Sequence, residues 1–114
     1  MNRVVITGMG AITPLGNTVT EFWDGIKNGK NGIAAITNFD ASETGISVAG
    51  EVKDFDATKY MDRKEYKRMD LFSQYAVAAS AQAVEQSGID MEKIDADRFG
   101  VTIGSGVGGF ITME

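Results

Sequence analysis

The 114-residue sequence contains no cysteine and no histidine, and it has a single proline. Without cysteine, the chain can form neither a disulfide framework nor a thiol nucleophile. Without both residue types, it lacks the usual zinc ligands and the Cys–His and Ser–His catalytic pairs. The carboxylates Asp54 and Asp56 lack the spacing of an EF-hand loop. We therefore expect no metal and no cofactor.

Positive charge and long apolar runs are also scarce. The chain has 11 Lys and Arg against 16 Asp and Glu, a net charge of −5, which argues against nucleic-acid binding. No apolar run reaches the length of a membrane span, and the N-terminus is unlike a signal peptide. We expect one cytoplasmic domain, with neither a nucleic-acid nor a membrane partner.

Two short apolar runs predict buried strands, over residues 3–7 and residues 99–103. Each run enters a glycine-x-glycine turn, at residues 8–10 and 104–106. Such turns lie at the carboxyl ends of strands, where open α/β sheets bind ligands.

Two capping-box patterns predict helices between these strands. T-x-x-E at residues 18–21 predicts a helix over 18–28, and D-x-x-E at residues 62–65 predicts one over 63–87. Gly88 is expected to end the second helix. The first helix carries an apolar stripe for the core, formed by Val19, Phe22, Trp23 and Ile26. Strands alternating with helices predict an α/β fold with parallel strands.

Residues 104–109, GSGVGG, match the G-x-G-x-x-G pattern of a dinucleotide loop. That interpretation requires a following helix, a further strand and an acidic residue about 20 positions later. Only five residues follow Gly109, so none of these is present in the chain. The other interpretation is that glycines allow a tight turn or a close approach of two backbones. A small nucleotide-binding α/β module is kept as an alternative.

Four cations fall within six residues of this acidic chain. We call them the basic cluster: Arg63, Lys64, Lys67 and Arg68. They lie at the predicted start of a helix, where the macrodipole favours anions, so helix propensity does not explain them. The cluster is either a solvated helix end or a docking patch for an acidic macromolecule, which salt would weaken.

The sequence resembles the amino-terminal part of β-ketoacyl-acyl-carrier-protein synthases, and most of all the bacterial type II elongation enzyme. The resemblance is carried by RVVITGMGAITPLGN, EFWDGIKNGKNGI, AGEVKDFDATKYMDRKEYKRMDLFSQYAVAASAQAVEQSGI and FGVTIGSGVGG. It implies a thiolase-like, layered α/β/α/β/α fold and a homodimer. Residues 1–114 would be an incomplete, amino-terminal portion of the first half of that fold.

The resemblance also implies a reaction, the decarboxylating Claisen condensation of acyl and malonyl thioesters of acyl carrier protein. The catalytic cysteine and two histidines of the family lie beyond residue 114, so we expect this chain to be inactive alone. Two sets of residues carry over. The wall of the acyl pocket matches Gly106, Val107, Gly108 and Phe110. The docking surface for the acidic carrier protein matches the basic cluster, Arg63, Lys64, Lys67 and Arg68. A polyketide-type or non-catalytic ketosynthase relative, and a bare carrier-binding adaptor, are the remaining alternatives.

Overall fold

The computed structural model describes residues 2–109, which fall into two compact units. The first unit joins the chain up to Gly10 with the chain from Ala57 onward, and the second unit is Ala11–Asp56. The second unit contains helix α1 (Val19–Lys27) and strands β1 (Ala34–Ala35) and β2 (Val48–Ala49). The first unit contains helices α2 (Arg63–Tyr66) and α3 (Leu71–Ser87), with short 3-10 helices at Ala57–Lys59 and Ala96–Arg98.

Helix α1 confirms the prediction over residues 18–28 and begins at the expected cap. The Thr18 hydroxyl accepts a hydrogen bond from the Glu21 N–H at 3.2 Å. The Glu21 carboxylate reaches back to the N–H of Asn17 at 2.7 Å, one residue earlier than in a standard capping box. The helix ends before Gly29, whose φ of +63° is the left-handed conformation of a helix C′ residue.

Replacement of the α1 cap should cost measurable stability. Thr18→Ala removes the acceptor of the Glu21 N–H, and we expect the free energy of unfolding to fall by about 1 kcal/mol. Urea denaturation followed by far-UV circular dichroism would measure the change. Thr20→Ala, at an exposed position of the same turn, is the matched control. Equal midpoints for the two variants would show that the cap contributes nothing.

The only sheet formed by residues 2–109 is a two-stranded antiparallel hairpin in the second unit. Ala34 pairs with Ala49, and Ala35 pairs with Val48. Alanine has little preference for strands, so the sequence of β1, Ala34–Ala35, does not indicate a strand.

The carboxylate of Glu51 forms hydrogen bonds with the residues that follow strand β1 of this hairpin. It accepts hydrogen bonds from the Thr37 hydroxyl at 2.7 Å and from the N–H of Asn38 at 3.1 Å. These hydrogen bonds hold the pKa of Glu51 below its ordinary value. The bond from the Thr37 side chain has the largest effect. The stabilisation from these hydrogen bonds is present near neutral pH and is lost as the pH falls through that lowered pKa.

The predicted helix over residues 63–87 is wrong in one respect, because it is two helices. The backbone turns at residues 67–69, and Asp70 then takes the extended conformation of a helix N-cap. Aspartate is among the preferred N-cap residues, so α3 begins anew after it. The D-x-x-E box does open α2, since the Asp62 N–H donates to the Glu65 carboxylate at 3.2 Å. Gly88, with φ of +64°, ends α3 as expected.

Helix α3 is the packed centre of the first unit. Its residues 73–83 are all buried or half-buried, and Ala78 is fully buried. A Cβ atom at Gly8 would collide with the carbonyl oxygen of Ala83, and one at Gly10 would collide with that of Ala79. Only glycine lets the chain lie this close to the helix backbone. At the first glycine pair, the glycines therefore allow a close approach of two backbones.

The two predicted buried strands are absent from the structure. Residues 3–7 and 99–103 form no strand, and Val4, Ile6 and Val101 are 92%, 83% and 74% exposed. A buried strand needs hydrogen-bonded neighbours and a covering layer, and residues 2–109 supply neither to these segments. Trp23, predicted to be in the core, is likewise 57% exposed. None of the helices within residues 2–109 is long and apolar enough to cross a bilayer.

Candidate functional site

The basic cluster lies on the surface of the first unit. Arg63 and Lys64 are the first two residues of α2, and Lys67 and Arg68 follow its last residue. All four side chains are exposed. Within residues 2–109, no ion pair joins any of them to a carboxylate. Their charge is therefore available to a partner instead of being neutralised internally.

One further cation belongs to this surface, beyond the four predicted from the sequence. Lys59 is exposed at the end of the 3-10 helix Ala57–Lys59. Residues 59–68 thus hold five cations and two carboxylates, whereas the rest of the chain has six Lys and Arg against fourteen Asp and Glu. The positive charge of this acidic chain is concentrated in one segment. In the sequence, the position of Lys59 four residues before Arg63 could have indicated that it belongs to the same surface.

The second glycine-rich turn, residues 104–109, is closed by its own serine. The Gly108 N–H donates to the Ser105 hydroxyl at 3.1 Å, and Gly108 has a φ of +84° that favours glycine. A Cβ atom at Gly106 would meet nothing within 4 Å. Val107 is 66% exposed, and Phe110 lies outside the described residues.

Helix α3 brings the turn and the basic cluster to one end of the first unit. A Cβ atom at Gly108 would lie 3.6 Å from Cζ of Phe72, which is the second residue of α3. Phe72 is only four residues beyond Arg68. Gly108 of the turn and Arg68 of the basic cluster therefore both lie near the amino-terminal end of α3.

The structure separates the two glycine turns that the sequence predicted to share one ligand-binding edge. Gly10 packs against Ala79, and at a rise of 1.5 Å per residue Ala79 lies about 10 Å along α3 from Phe72. The backbone of α3 also fills the space that a phosphate would need beside Gly8 and Gly10. The nucleotide-binding alternative therefore has no support at the first turn.

An apolar groove runs beside α3 in the same unit. It is lined by α3 residues between Val77 and Glu85 and by Val101 and Ile103 of the segment predicted as a strand. Val107 is not part of its lining. The groove therefore extends along this segment as far as Ile103, which immediately precedes the glycine turn.

The titratable groups of the described residues include one in unusual surroundings, the phenol of Tyr75. Within residues 2–109, no group of three or more Asp and Glu is arranged to hold a metal ion. Burial raises the pKa of the Tyr75 phenol above its ordinary value, so this group stays protonated at neutral pH. The sequence has no cysteine or histidine, so residues 1–114 supply neither a thiol nucleophile nor an imidazole base.

The fold is that of the ketosynthases. "The ishigamide ketosynthase/chain length factor" superposes with a TM-score of 0.71 at 34% identity, covering 79% of this chain and 22% of that chain. "AntDE:AntF (apo): type II PKS acyl-carrier protein in complex with its ketosynthase bound to the hexaketide" superposes with a TM-score of 0.63 at 31% identity, covering 82% and 24%. Residues 1–114 match the family described as Beta-ketoacyl synthase, N-terminal domain, and the chain belongs to that family.

Three curated relatives of the chain share one name. The sequence is 53% identical over 112 residues to 3-oxoacyl-[acyl-carrier-protein] synthase 2 of Synechocystis sp.. It is 48% identical to the synthase of the same name from Vibrio harveyi and 47% identical to that from Staphylococcus aureus. In each case the match covers 98% of this chain and 27% of the relative. The family resemblance and the thiolase-like fold class predicted from the sequence are confirmed, and the chain spans about a quarter of these relatives.

Proposed function

We propose that this chain forms the amino-terminal part of a 3-oxoacyl-[acyl-carrier-protein] synthase 2. Such a synthase is an acyltransferase: the malonyl thioester loses CO2, and the resulting carbanion displaces the thiolate from the acyl thioester. The observation that carries the proposal is the 53% identity to the Synechocystis enzyme over 112 residues. We further propose that the complete synthase is a cytoplasmic homodimer, as the family resemblance implies.

In this proposal the chain supplies surfaces, and the rest of the synthase supplies the nucleophile and the bases. The basic cluster is the docking site for acyl carrier protein in its acyl and malonyl forms. Its support is physical: four exposed cations, none in an ion pair within residues 2–109, suit a strongly acidic partner. One of the similar solved structures is a ketosynthase in complex with an acyl-carrier protein.

The glycine turn is proposed as part of the wall of the acyl pocket, with Gly106, Val107 and Gly108 in the described part and Phe110 beyond it. Val107 presents 66% of its surface and is free to contact an apolar chain. The Ser105–Gly108 hydrogen bond and the neighbouring Phe72 hold the turn that presents it. The position of the turn beside the basic cluster fits a path from a docked carrier to the pocket.

A chimeric enzyme tests the proposal directly. The 112 matching residues of the Synechocystis synthase are replaced by those of this chain, and the product is assayed with acyl- and malonyl-carrier substrates. We expect ketoacyl-carrier product at a rate comparable with the parent enzyme, and none from the 114-residue chain alone. A folded chimera that binds carrier without forming product would favour an adaptor. Product formed by the isolated chain would overturn the assignment of chemistry to the remainder.

A polyketide-type ketosynthase is the second candidate, because one of the two similar solved structures named above carries "type II PKS" in its title. Their identities of 34% and 31% are lower than the 47–53% shared with the elongation synthases. The two candidates differ in product. A single two-carbon extension supports the elongation synthase, and a poly-β-keto product supports the polyketide type.

A further inference from the structure

Gln74 is a buried polar side chain beneath the basic cluster. It is 8% exposed, and within residues 2–109 no other polar or charged side chain is classed as buried. Its side-chain amide nitrogen donates to two backbone carbonyls, that of Tyr66 at 3.0 Å and that of Met69 at 2.9 Å. Both amide hydrogens are therefore used on the backbone of the segment that precedes α3.

These two carbonyls stand on either side of Lys67 and Arg68. Tyr66 is the last residue of α2, and Met69 immediately precedes Asp70, the N-cap of α3. The Tyr66 carbonyl also accepts a hydrogen bond from the Met69 N–H at 3.1 Å, within the turn itself. Gln74, in the first turn of α3, adds a second donor to this carbonyl and a donor to the carbonyl of Met69.

Helix α2 cannot hold this segment in place by itself. It has four residues, far fewer than an isolated helix needs to be stable in water. The path of the backbone through residues 67–69 therefore depends on two turn hydrogen bonds, from the N–H groups of Arg68 and Met69, and on contacts with the rest of the unit. The Gln74 hydrogen bonds are contacts of this kind, and they fix the backbone that carries two of the four cations.

We propose that Gln74 is a positioning residue for carrier-protein docking, an inference that rests on the proposed function. Gln74 is buried and does not touch the carrier itself. It orders the backbone of Lys67 and Arg68 before the carrier arrives, so that binding does not have to meet the cost of ordering them. Without Gln74 the same four charges remain, but Lys67 and Arg68 no longer hold fixed positions relative to the other two cations.

The test uses the complete synthase that contains these residues. Gln74→Met keeps the length of the side chain and removes both donors. We expect the carrier to bind roughly tenfold more weakly, with a matching rise in KM for acyl-carrier substrate. kcat with an acyl-pantetheine thioester, which has no carrier to dock, should stay unchanged. A purely structural role would lower both activities together.

Gln82→Met is the matched control. Gln82 is also on α3, but its amide donates to the Tyr60 hydroxyl at 2.9 Å and not to the backbone of residues 66–69. We expect its carrier affinity to equal that of the parent. If Gln74→Met does not fold, Gln74→Asn, which keeps the amide but is one methylene shorter, takes its place.

A double-mutant cycle decides whether Gln74 acts through the cluster. In a Lys67→Ala, Arg68→Ala background, Gln74→Met should cost little further carrier affinity, because the residues it positions are gone. The same loss in both backgrounds would overturn the inference, as would parent-like carrier binding by Gln74→Met. If the parent synthase does not bind carrier at all, the proposed partner fails first, and this inference fails with it.

Discussion

Gly8→Ala and Gly10→Ala should each lower the free energy of unfolding by about 3 kcal/mol, the upper part of the range for overpacked sites. The added methyl would collide with the carbonyl oxygen of Ala83 or Ala79. These are backbone atoms in the middle of α3, so they cannot rotate away as a side chain could. Relief requires either a displaced helix or a displaced amino-terminal segment.

The matched control for these variants is Gly104→Ala, at the first glycine of the second turn. A Cβ atom there would meet nothing within 4 Å, and the backbone is not left-handed. Urea denaturation of the 114-residue variants, followed by far-UV circular dichroism, measures all three. We expect Gly104→Ala to unfold at or slightly above the parental midpoint. An unchanged midpoint for Gly8→Ala and Gly10→Ala would show that the segment does not pack on α3.

Charge reversal in the basic cluster should produce the largest effect on binding. Lys64→Glu with Lys67→Glu, in the complete synthase, replaces two exposed cations by two anions. We expect carrier affinity at low salt to fall by at least about tenfold, because steering toward an acidic partner becomes repulsion. The dependence of affinity on salt should also flatten, since fewer attractive charge pairs remain to be screened.

A second double variant distinguishes the effect of the basic cluster on docking from the effect of the net charge of the chain. Lys30→Glu with Lys53→Glu changes the net charge by the same amount at two exposed lysines of the second unit. Isothermal titration with carrier at several salt concentrations compares the two. Nearly parental affinity is expected for the control. If both variants bind alike at low salt, the basic cluster is not the docking surface.

The helix ends were predictable because their signals are local. Thr18 caps α1 through its own side chain, and Gly88 ends α3 through a backbone conformation that glycine adopts at low cost. The break at Asp70 was missed, since apolar spacing continues from Met69 to Phe72 and suggests an unbroken helix. A favoured N-cap residue beside that spacing was the available signal.

The strands could not be predicted in the same way. Residues 3–7 and 99–103 have the β-branched composition of buried strands, yet burial is a property of the neighbours and not of the segment. The side chains of Val4 and Ile6 remain exposed because no layer within residues 2–109 covers them.

In the candidate site, the charged residues could be predicted from the sequence, but the residue that positions their backbone could not. The cations of the basic cluster are conspicuous in an acidic sequence, and the structure places them on the surface. Gln74 lies in an alanine-rich helical pattern and carries no charge, so nothing in the sequence marks it. Its importance becomes visible only when the carbonyls of Tyr66 and Met69 are located.

Where Gly8 and Gly10 contact α3, the choice of amino acid is restricted more at the two glycines than in the helix. The helix offers carbonyl oxygens to this contact, and every amino acid except proline can present a carbonyl from a regular helix. The glycines, in contrast, have no substitute of comparable size. Anyone diversifying this protein in a library can therefore vary the helical partners more freely than positions 8 and 10, where a single added carbon is already too much.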